Sequence, residues 1–353
     1  MSERIAAVVL GGTGYVAGEL LRLLASHPRL ELAAILSDSQ PGAAVAAAFP
    51  HLRSAYPDLK FSDLGAIEAL LGRSPRTALF SAAPHGVAAA IIDRLLGAAE
   101  GAGTQAHCVD ISADFRYSSA EAYESVYQHA HGAPGRIGQF TCAVPEHLAR
   151  SPTPHISHPG CFATATLLAS VPLLALGLTD PRFFVTGITG STGSGRRPTE
   201  GTHHPLRHSD LYSYGALSHR HVPEITACAK TASGVAAEFN FVPHSGPFAR
   251  GIHVTVQASL LKPISSEEAR EALSSYYARC PFVRVIDAAP RVKDVAASNF
   301  SHLSAVTNGR SIAVMSVLDN LNKGAAGGGV QWMNRLLGFD ESLGLLAPAP
   351  GWT

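Results

Sequence analysis

Apolar residues follow two rhythms along this chain. In the first half they form short continuous runs, Arg4-Ile5-Ala6-Ala7-Val8-Val9-Leu10, Leu30-Glu31-Leu32-Ala33-Ala34-Ile35-Leu36, Thr77-Ala78-Leu79-Phe80-Ser81-Ala82-Ala83 and His107-Cys108-Val109-Asp110-Ile111-Ser112. Such runs suit parallel strands covered on both faces. Helix-like segments such as Glu19-Leu20-Leu21-Arg22-Leu23-Leu24 alternate with them, which predicts a doubly wound α/β sheet. The prolines of Ser151-Pro152-Thr153-Pro154 interrupt regular structure and mark a domain junction. Beyond it a long apolar segment after Cys161 predicts a buried helix. The runs Phe183–Thr189 and His253–Leu261 then alternate or are β-branched, predicting a mixed α+β domain. Near the end, Gln331–Leu337 predicts a helix stopped by Gly338. There is no internal repeat, and Gly327-Gly328-Gly329 is too short to be a low-complexity tract.

The first strand runs straight into Gly11-Gly12-Thr13-Gly14-Tyr15-Val16-Ala17-Gly18 and then into a helix. Gly12-x-Gly14-x-x-Ala17 fits the pattern in which small residues let backbone N–H groups approach a pyrophosphate at a helix N-terminus. The second strand completes a βαβ unit, so a dinucleotide site is expected over Gly11 to Val16. Just past that strand Asp38 could bond ribose hydroxyls, as NAD requires, while Ser37 and Ser39 could hydrogen-bond a 2′-phosphate. The bland reading of Asp38 is a solvated turn residue. Residue chemistry alone leaves NAD and NADP open.

With 353 residues, 46% of them hydrophobic, the chain can fill two cores. A formal net charge of zero argues against nucleic-acid binding. No run reads as a membrane span or a secretory signal, so a cytoplasmic protein is expected. Five cysteines without a C-x-x-C pair predict neither a disulfide framework nor a metal site. A metal is the rival reading of the run that includes His203, His204 and His208, but ligand spacing is not evident there.

Cys161 follows a Pro159-Gly160 turn at the start of the predicted buried helix. Helix N-terminal N–H groups and dipole favour a thiolate, although a packed core cysteine is the commoner fate of such a residue. His85 and Arg116 sit in turns at the carboxyl ends of strands, where ligands bind in open α/β sheets, or else serve the turns themselves. Ser191-Thr192-Gly193-Ser194-Gly195-Arg196-Arg197 joins a glycine-rich turn to two guanidiniums suited to an oxyanion, or is an exposed basic loop. Ser218-His219-Arg220-His221-Val222-Pro223-Glu224 brings two imidazoles and a carboxylate together, chemistry that can take and return a proton near neutral pH.

Taken jointly, Gly11-x-x-Gly14-Tyr15, Pro84-His85-Gly86, Asp110-x-Ser112-x-Asp114-Phe115-Arg116, Pro159-Gly160-Cys161, His219-Arg220-His221-x-Pro223-Glu224, Pro243-His244 with Arg250-Gly251-Ile252, and Asp319-Asn320-Leu321-x-Lys323-Gly324-Ala325-Ala326-Gly327 occur in order. The chain thereby resembles the N-acetyl-γ-glutamyl-phosphate reductase family of the aspartate-semialdehyde dehydrogenase superfamily, nearly end to end. It departs at His158, where Asn is usual, and at Phe162-Ala163, where Tyr-Pro is usual.

The resemblance implies an α/β fold: a Rossmann domain over 1–157, an inserted α+β catalytic and dimerisation domain over 158–319, and a segment over 320–353 whose helix returns to the first domain. It implies NADPH-dependent reduction of an acyl phosphate through a Cys161 thioester in arginine biosynthesis, in a homodimer or homotetramer. His219 would be the acid/base, with His221 and Glu224 orienting it or the substrate. Gly11, Gly12, Thr13, Gly14, Tyr15, Val16, Ser37, Ser39, Asn320 and Gly324 would hold NADP(H). Arg116, Ser191, Gly193, Arg196 and Arg197 would hold substrate or phosphate. The substrate would be N-acetyl-γ-glutamyl phosphate, with N-succinyl-glutamyl, carrier-linked aminoadipyl and aspartyl phosphates as alternatives. A dinucleotide-binding redox sensor with Cys161 as its switch is the reading from outside enzymes, and it has no need of the histidine pair.

Overall fold

A computed structural model describes residues 4–351. They divide into two compact units, one made of the chain up to Ala143 with Arg150–His158 and Ala326–Leu345, the other of Val144–Ala149, Pro159–Ala325 and the stretch from Leu346. The division falls a few residues from the expected junctions for physical reasons. Asp319 and Asn320 are tied within the second unit to Arg250 and Gly251, and Lys323 there pairs with Glu146.

The first unit is built on six parallel strands: β1 (Ile5–Leu10), β2 (Leu30–Ile35), β3 (Arg76–Ser81), β4 (Gln105–Asp110), β5 (Phe140–Cys142) and β6 (His155–Ser157), ordered β2-β1-β3-β4-β6-β5. Val8, Leu10, Leu79 and Ile92 are fully buried in its core, each contributing about 1.5–3 kcal/mol by leaving water. The predicted C-terminal helix spans Gly327–Leu336 and packs on β4. Gly329 has a packing reason: a Cβ on it would come within 3.1 Å of Ile111. The Trp332 indole N–H donates to the Ala143 carbonyl at 2.8 Å, and Asn334 bonds His27 at 3.1 Å.

His155 on β6 is 5% exposed, and its Nδ1 accepts the Cys108 N–H at 3.2 Å. Burial, and to a lesser degree the nearby His107 and Arg136 charges, lowers its pKa to about 4. The unfolded chain therefore binds a proton that the folded chain refuses between pH 6.5 and 4. Stability is full above that window and falls through it, by up to about 3 kcal/mol for this one group. Urea unfolding at a series of pH values should show the loss, and His155→Gln should make the curve shallower.

The second unit holds a mixed sheet of β7 (Arg182–Thr189), β8 (Tyr212–Ser213), β9 (Glu238–Ser245), β10 (Ile252–Ser259), β11 (Val283–Val285), β12 (Ser301–Asn308) and β13 (Ser311–Leu318), ordered β11-β12-β13-β10-β7-β9-β8. The Cys161–Ala175 helix packs on β10 and β13, and every residue from Phe162 to Leu174 is buried. That explains its lack of a polar face: a helix apolar all round must be covered all round. β7 alternates, with Phe183 and Val185 buried while Phe184 is 56% exposed on the other side.

Candidate active site

Cys161 is the first residue of its helix, and Gly160 caps the N-terminus with no side-chain bond. The N–H of Gly160 donates to Oε1 of Glu224 at 2.9 Å. Glu224 is fully buried in the first turn of the Val222–Ser233 helix, where Pro223 fits because an N-terminal position needs no N–H. A Cβ on Gly160 would lie 2.5 Å from Cε1 and Nε2 of His221 and 2.8 Å from Glu224 Oε1. The His221 ring and the Glu224 carboxylate therefore pack directly on the backbone that delivers the sulfur, and only glycine leaves them room.

His219 and His221 meet edge to face, with ring centroids 4.6 Å apart. Nδ1 of His219 accepts the His221 N–H at 3.2 Å, which places the proton of a neutral His219 on Nε2. Burial, with Arg220 adding to it, lowers the His219 pKa to about 4. The ring is thus neutral near pH 7 and presents an N–H donor. Cys161, His219 and His221 line one cleft of ≈ 550 Å³.

Gly193 lines that cleft as well, whereas Arg196 and Arg197 stand exposed on the following loop. The glycine-rich turn is less open to an anion than its sequence suggests. The N–H groups of Ser191, Thr192, Gly193 and Gly195 already donate to the carbonyls of Phe248, Ala249, Gly190 and Thr192. Arg116 belongs to the first unit, 7% exposed, with Nε donating to the His158 carbonyl at 3.1 Å and an Nη to that of Ile111 at 2.9 Å. Asp114 accepts the Gly86 and Ala89 N–H groups and the Tyr123 hydroxyl, and His85 Nδ1 accepts the Ala113 N–H. These contacts tie together the turns after β3 and β4.

Beyond β13, Asn320 bonds at both ends of its amide: Oδ1 accepts the Gly251 N–H at 2.6 Å and Nδ2 donates to Thr192 Oγ1 at 3.0 Å. A π-helical turn, Asn322–Ala326, follows. In it the side chain of Lys323 is fully buried against that of Glu146, Nζ to Oε1 at 2.6 Å. The next residue, Gly324, abuts Cys161: a Cβ there would lie 2.7 Å from Cys161 Cβ and 3.0 Å from its Cα. Turns of this kind recur at functional sites.

In the first unit two glycines of the turn after β1 are required sterically. Gly11 has φ +80°, and a Cβ on it would run into Ala82 and Ala83 at 2.5 Å; one on Gly12 would meet the Leu36 carbonyl at 2.6 Å. Gly14 caps the Tyr15–Ala25 helix with no side chain, and a Cβ there would find only Gly11 O, at 3.9 Å. Gly14 and the helix start after it thus leave a cradle fit for a pyrophosphate. Past β2, the hydroxyls of Ser37 and Ser39 lie 3.4 Å apart and Asp38 is exposed.

One residue of the site escaped the sequence reading. Tyr214 lines the Cys161 cleft and its ring stands 5.7 Å from that of His219. Its pKa is pushed up to about 12, by burial first and then by negative charge at Cys161. No motif flags it, since Leu211-Tyr212-Ser213-Tyr214 reads as an ordinary surface stretch. None of the five cysteines forms a disulfide among the described residues. No group of three or more His, Cys, Asp or Glu there could hold a metal, and no helix there is long and apolar enough to cross a membrane.

Residues 6–151 match the semialdehyde dehydrogenase NAD binding domain, and residues 161–320 match the semialdehyde dehydrogenase dimerisation domain. Curated relatives match nearly the whole length. N-acetyl-gamma-glutamyl-phosphate reductase of Ectopseudomonas mendocina is 38% identical over 349 residues, 96% of each chain. The protein of that name from Methanopyrus kandleri is 38% identical over 96% of this chain and 97% of its own. Among solved structures, aspartate semialdehyde dehydrogenase II of Vibrio cholerae, complexed with ASA, superposes with a TM-score of 0.68 at 14% identity, covering 95% of this chain and 98% of that one. Aspartate semialdehyde dehydrogenase of Candida albicans with NADP gives 0.63 at 14% identity, covering 97% and 100%. At such identities the structures speak for the fold.

Proposed function

Because the chain belongs to the semialdehyde dehydrogenase family, with the N-acetyl-gamma-glutamyl-phosphate reductases, we propose that it reduces N-acetyl-γ-glutamyl phosphate to the 5-semialdehyde, releasing phosphate, in arginine biosynthesis. The observation that carries the chemistry is Cys161 at a helix N-terminus, with His221 and Glu224 packed on the residue before it and His219 in the same cleft.

The Cys161 thiolate attacks the acyl carbon, the bond from that carbon to the phosphate oxygen breaks, and a thioester remains. Gly11 to Val16, with Ser37 and Ser39 for a 2′-phosphate, would hold NADPH, which would supply the hydride that reduces this acyl group; the carbon–sulfur bond then breaks, releasing the aldehyde and returning Cys161 as thiolate. The Nε2–H of His219 then faces the task its tautomer suits, donating to oxygen as negative charge develops there. His221 and Glu224 fix the Gly160–Cys161 backbone. Arg196 and Arg197, on the loop leading from Gly193, attract the phosphoryl group, while Arg116 keeps the turns of its own unit in place. The exposed Phe184 and its sheet face support assembly of two or four copies; sedimentation velocity should return a mass of at least two chains.

Purified protein given N-acetylglutamate semialdehyde, phosphate and NADP+ should produce NADPH. Aspartate semialdehyde, the N-succinyl analogue and NAD+ serve as controls, and turnover of the aspartyl compound alone would overturn the substrate assignment. His219→Asn removes the Nε2–H and should lower kcat by about 10²–10⁴-fold with little change in KM. An equal, small loss in His219→Asn and His221→Asn would defeat this division of roles.

A further inference from the structure

We propose that the first unit carries a second anion site, at the amino-terminal edge of its sheet, built to hold a compact polyanion with phosphoryl or carboxylate oxygens. Strand register assembles it. Ile5 pairs with Leu30, and Ala6 pairs with Thr77. Arg4 and Arg29, each one residue before its strand, and Arg76, which begins β3, therefore emerge side by side from three adjacent parallel strands. Arg73 and Ser74, in the turn leading into β3, close the rim. Together these residues line a cavity of ≈ 260 Å³, with no acidic side chain among its described lining residues.

The guanidiniums are poorly matched from within. Among the described residues none of Arg4, Arg29, Arg73 and Arg76 has a carboxylate partner. The Nε atoms of Arg29 and Arg76 are buried without any hydrogen-bond acceptor. Arg29 is held in place from behind, its guanidinium 4.5 Å above the Phe339 ring, which fixes the fork without neutralising it. Buried donors in native proteins are nearly always satisfied. Four like charges around one cavity, with no carboxylate among its described lining residues, form an incomplete electrostatic arrangement that a multiply charged anion completes. The planar forks suit bidentate oxygen pairs.

The site is separate from the nucleotide turn. β1 begins at the cavity and delivers Gly11 at its other end, six residues away, or roughly 20 Å at the rise of a strand. Occupancy of the glycine turn therefore leaves it open.

Calorimetric titration of the full chain with pyrophosphate is the test, with NADP+ saturating and ionic strength held constant with chloride. Saturable binding is expected, weakened about tenfold or more in Arg29→Gln/Arg76→Gln, while kcat stays unchanged. Citrate in a parallel titration separates the chemistries: binding of pyrophosphate alone assigns a phosphoryl ligand, and binding of both assigns any compact polyanion. No saturable heat with either anion, or the same affinity in wild type and variant, overturns the proposal. Should the double variant fail to fold, phenylglyoxal labelling of the wild-type chain decides instead. Pyrophosphate should slow modification of Arg29 and Arg76, and unchanged labelling overturns the site.

Discussion

Cys161→Ser should lower kcat by about 10³-fold or more, some 4 kcal/mol or more of transition-state stabilisation at about 1.4 kcal/mol per tenfold, while NADP+ affinity stays as it was. The separation follows from the architecture. The sulfur stands at the start of a helix in the second unit, whereas the glycine cradle belongs entirely to the first. Serine keeps the size and the helix start but presents a hydroxyl that stays protonated, with neither a thiolate's nucleophilicity nor its ability to leave from a tetrahedral adduct. Equilibrium dialysis of NADP+ beside steady-state kinetics reads both halves. Comparable turnover in the variant would refute the thioester, and loss of cofactor binding would show that the substitution had disturbed more than the nucleophile.

Gly324→Ala should be nearly as damaging although it removes no functional group. The added methyl would sit 2.7 Å from Cys161 Cβ and 3.2 Å from Leu318 Cδ1, so either the nucleophile or the turn has to move. The turn resists: Lys323 is clamped on Glu146, and the Gly324 N–H donates to the Asp319 carbonyl at 2.9 Å. Asp319 in turn accepts from Arg250, Ala297, Leu321 and Asn322. Displacement therefore falls on Cys161. Misplacing a reacting atom by about an ångström costs on the order of 10²-fold in rate, and overpacking of this kind costs about 1–3 kcal/mol in stability. Chemical denaturation and the rate of thiol alkylation, measured beside kcat, separate the two effects. Near wild-type kcat would mean that the turn yields and the clamp does not hold.

Several features are legible in the sequence because each depends on neighbours along the chain. The runs at Ile5–Leu10, Leu30–Ile35 and Arg182–Thr189 became strands within a residue or so of their expected limits. The segment after Cys161 became a buried helix, its apolar character on every side being the signal. Other features lie beyond such reasoning. Gly327-Gly328-Gly329 lowers helix propensity, yet it opens a helix, since the return of that helix to β4 requires a residue without a side chain beside Ile111. By sequence the Ser191–Gly195 turn suits either an anion or an exposed loop, but the carbonyls of Phe248 and Ala249 take the N–H groups of Ser191 and Thr192, and those of Gly190 and Thr192 take the N–H groups of Gly193 and Gly195. Tyr214 reaches Cys161 from 53 positions along the chain, with no periodicity to betray it.

Local sequence determined the order of strands and helices, the glycine turn and the placing of a thiol where helix N–H groups gather, because hydrophobic period, backbone freedom and helix polarity act over a few residues. Tertiary structure alone decided that Asn320 braces backbone and loop, that Gly324 presses on the sulfur, and that four arginines share one cavity. Those outcomes depend on contacts between segments up to about 160 residues apart in the chain, whose register is set by burial of the whole sheet rather than by any stretch of it.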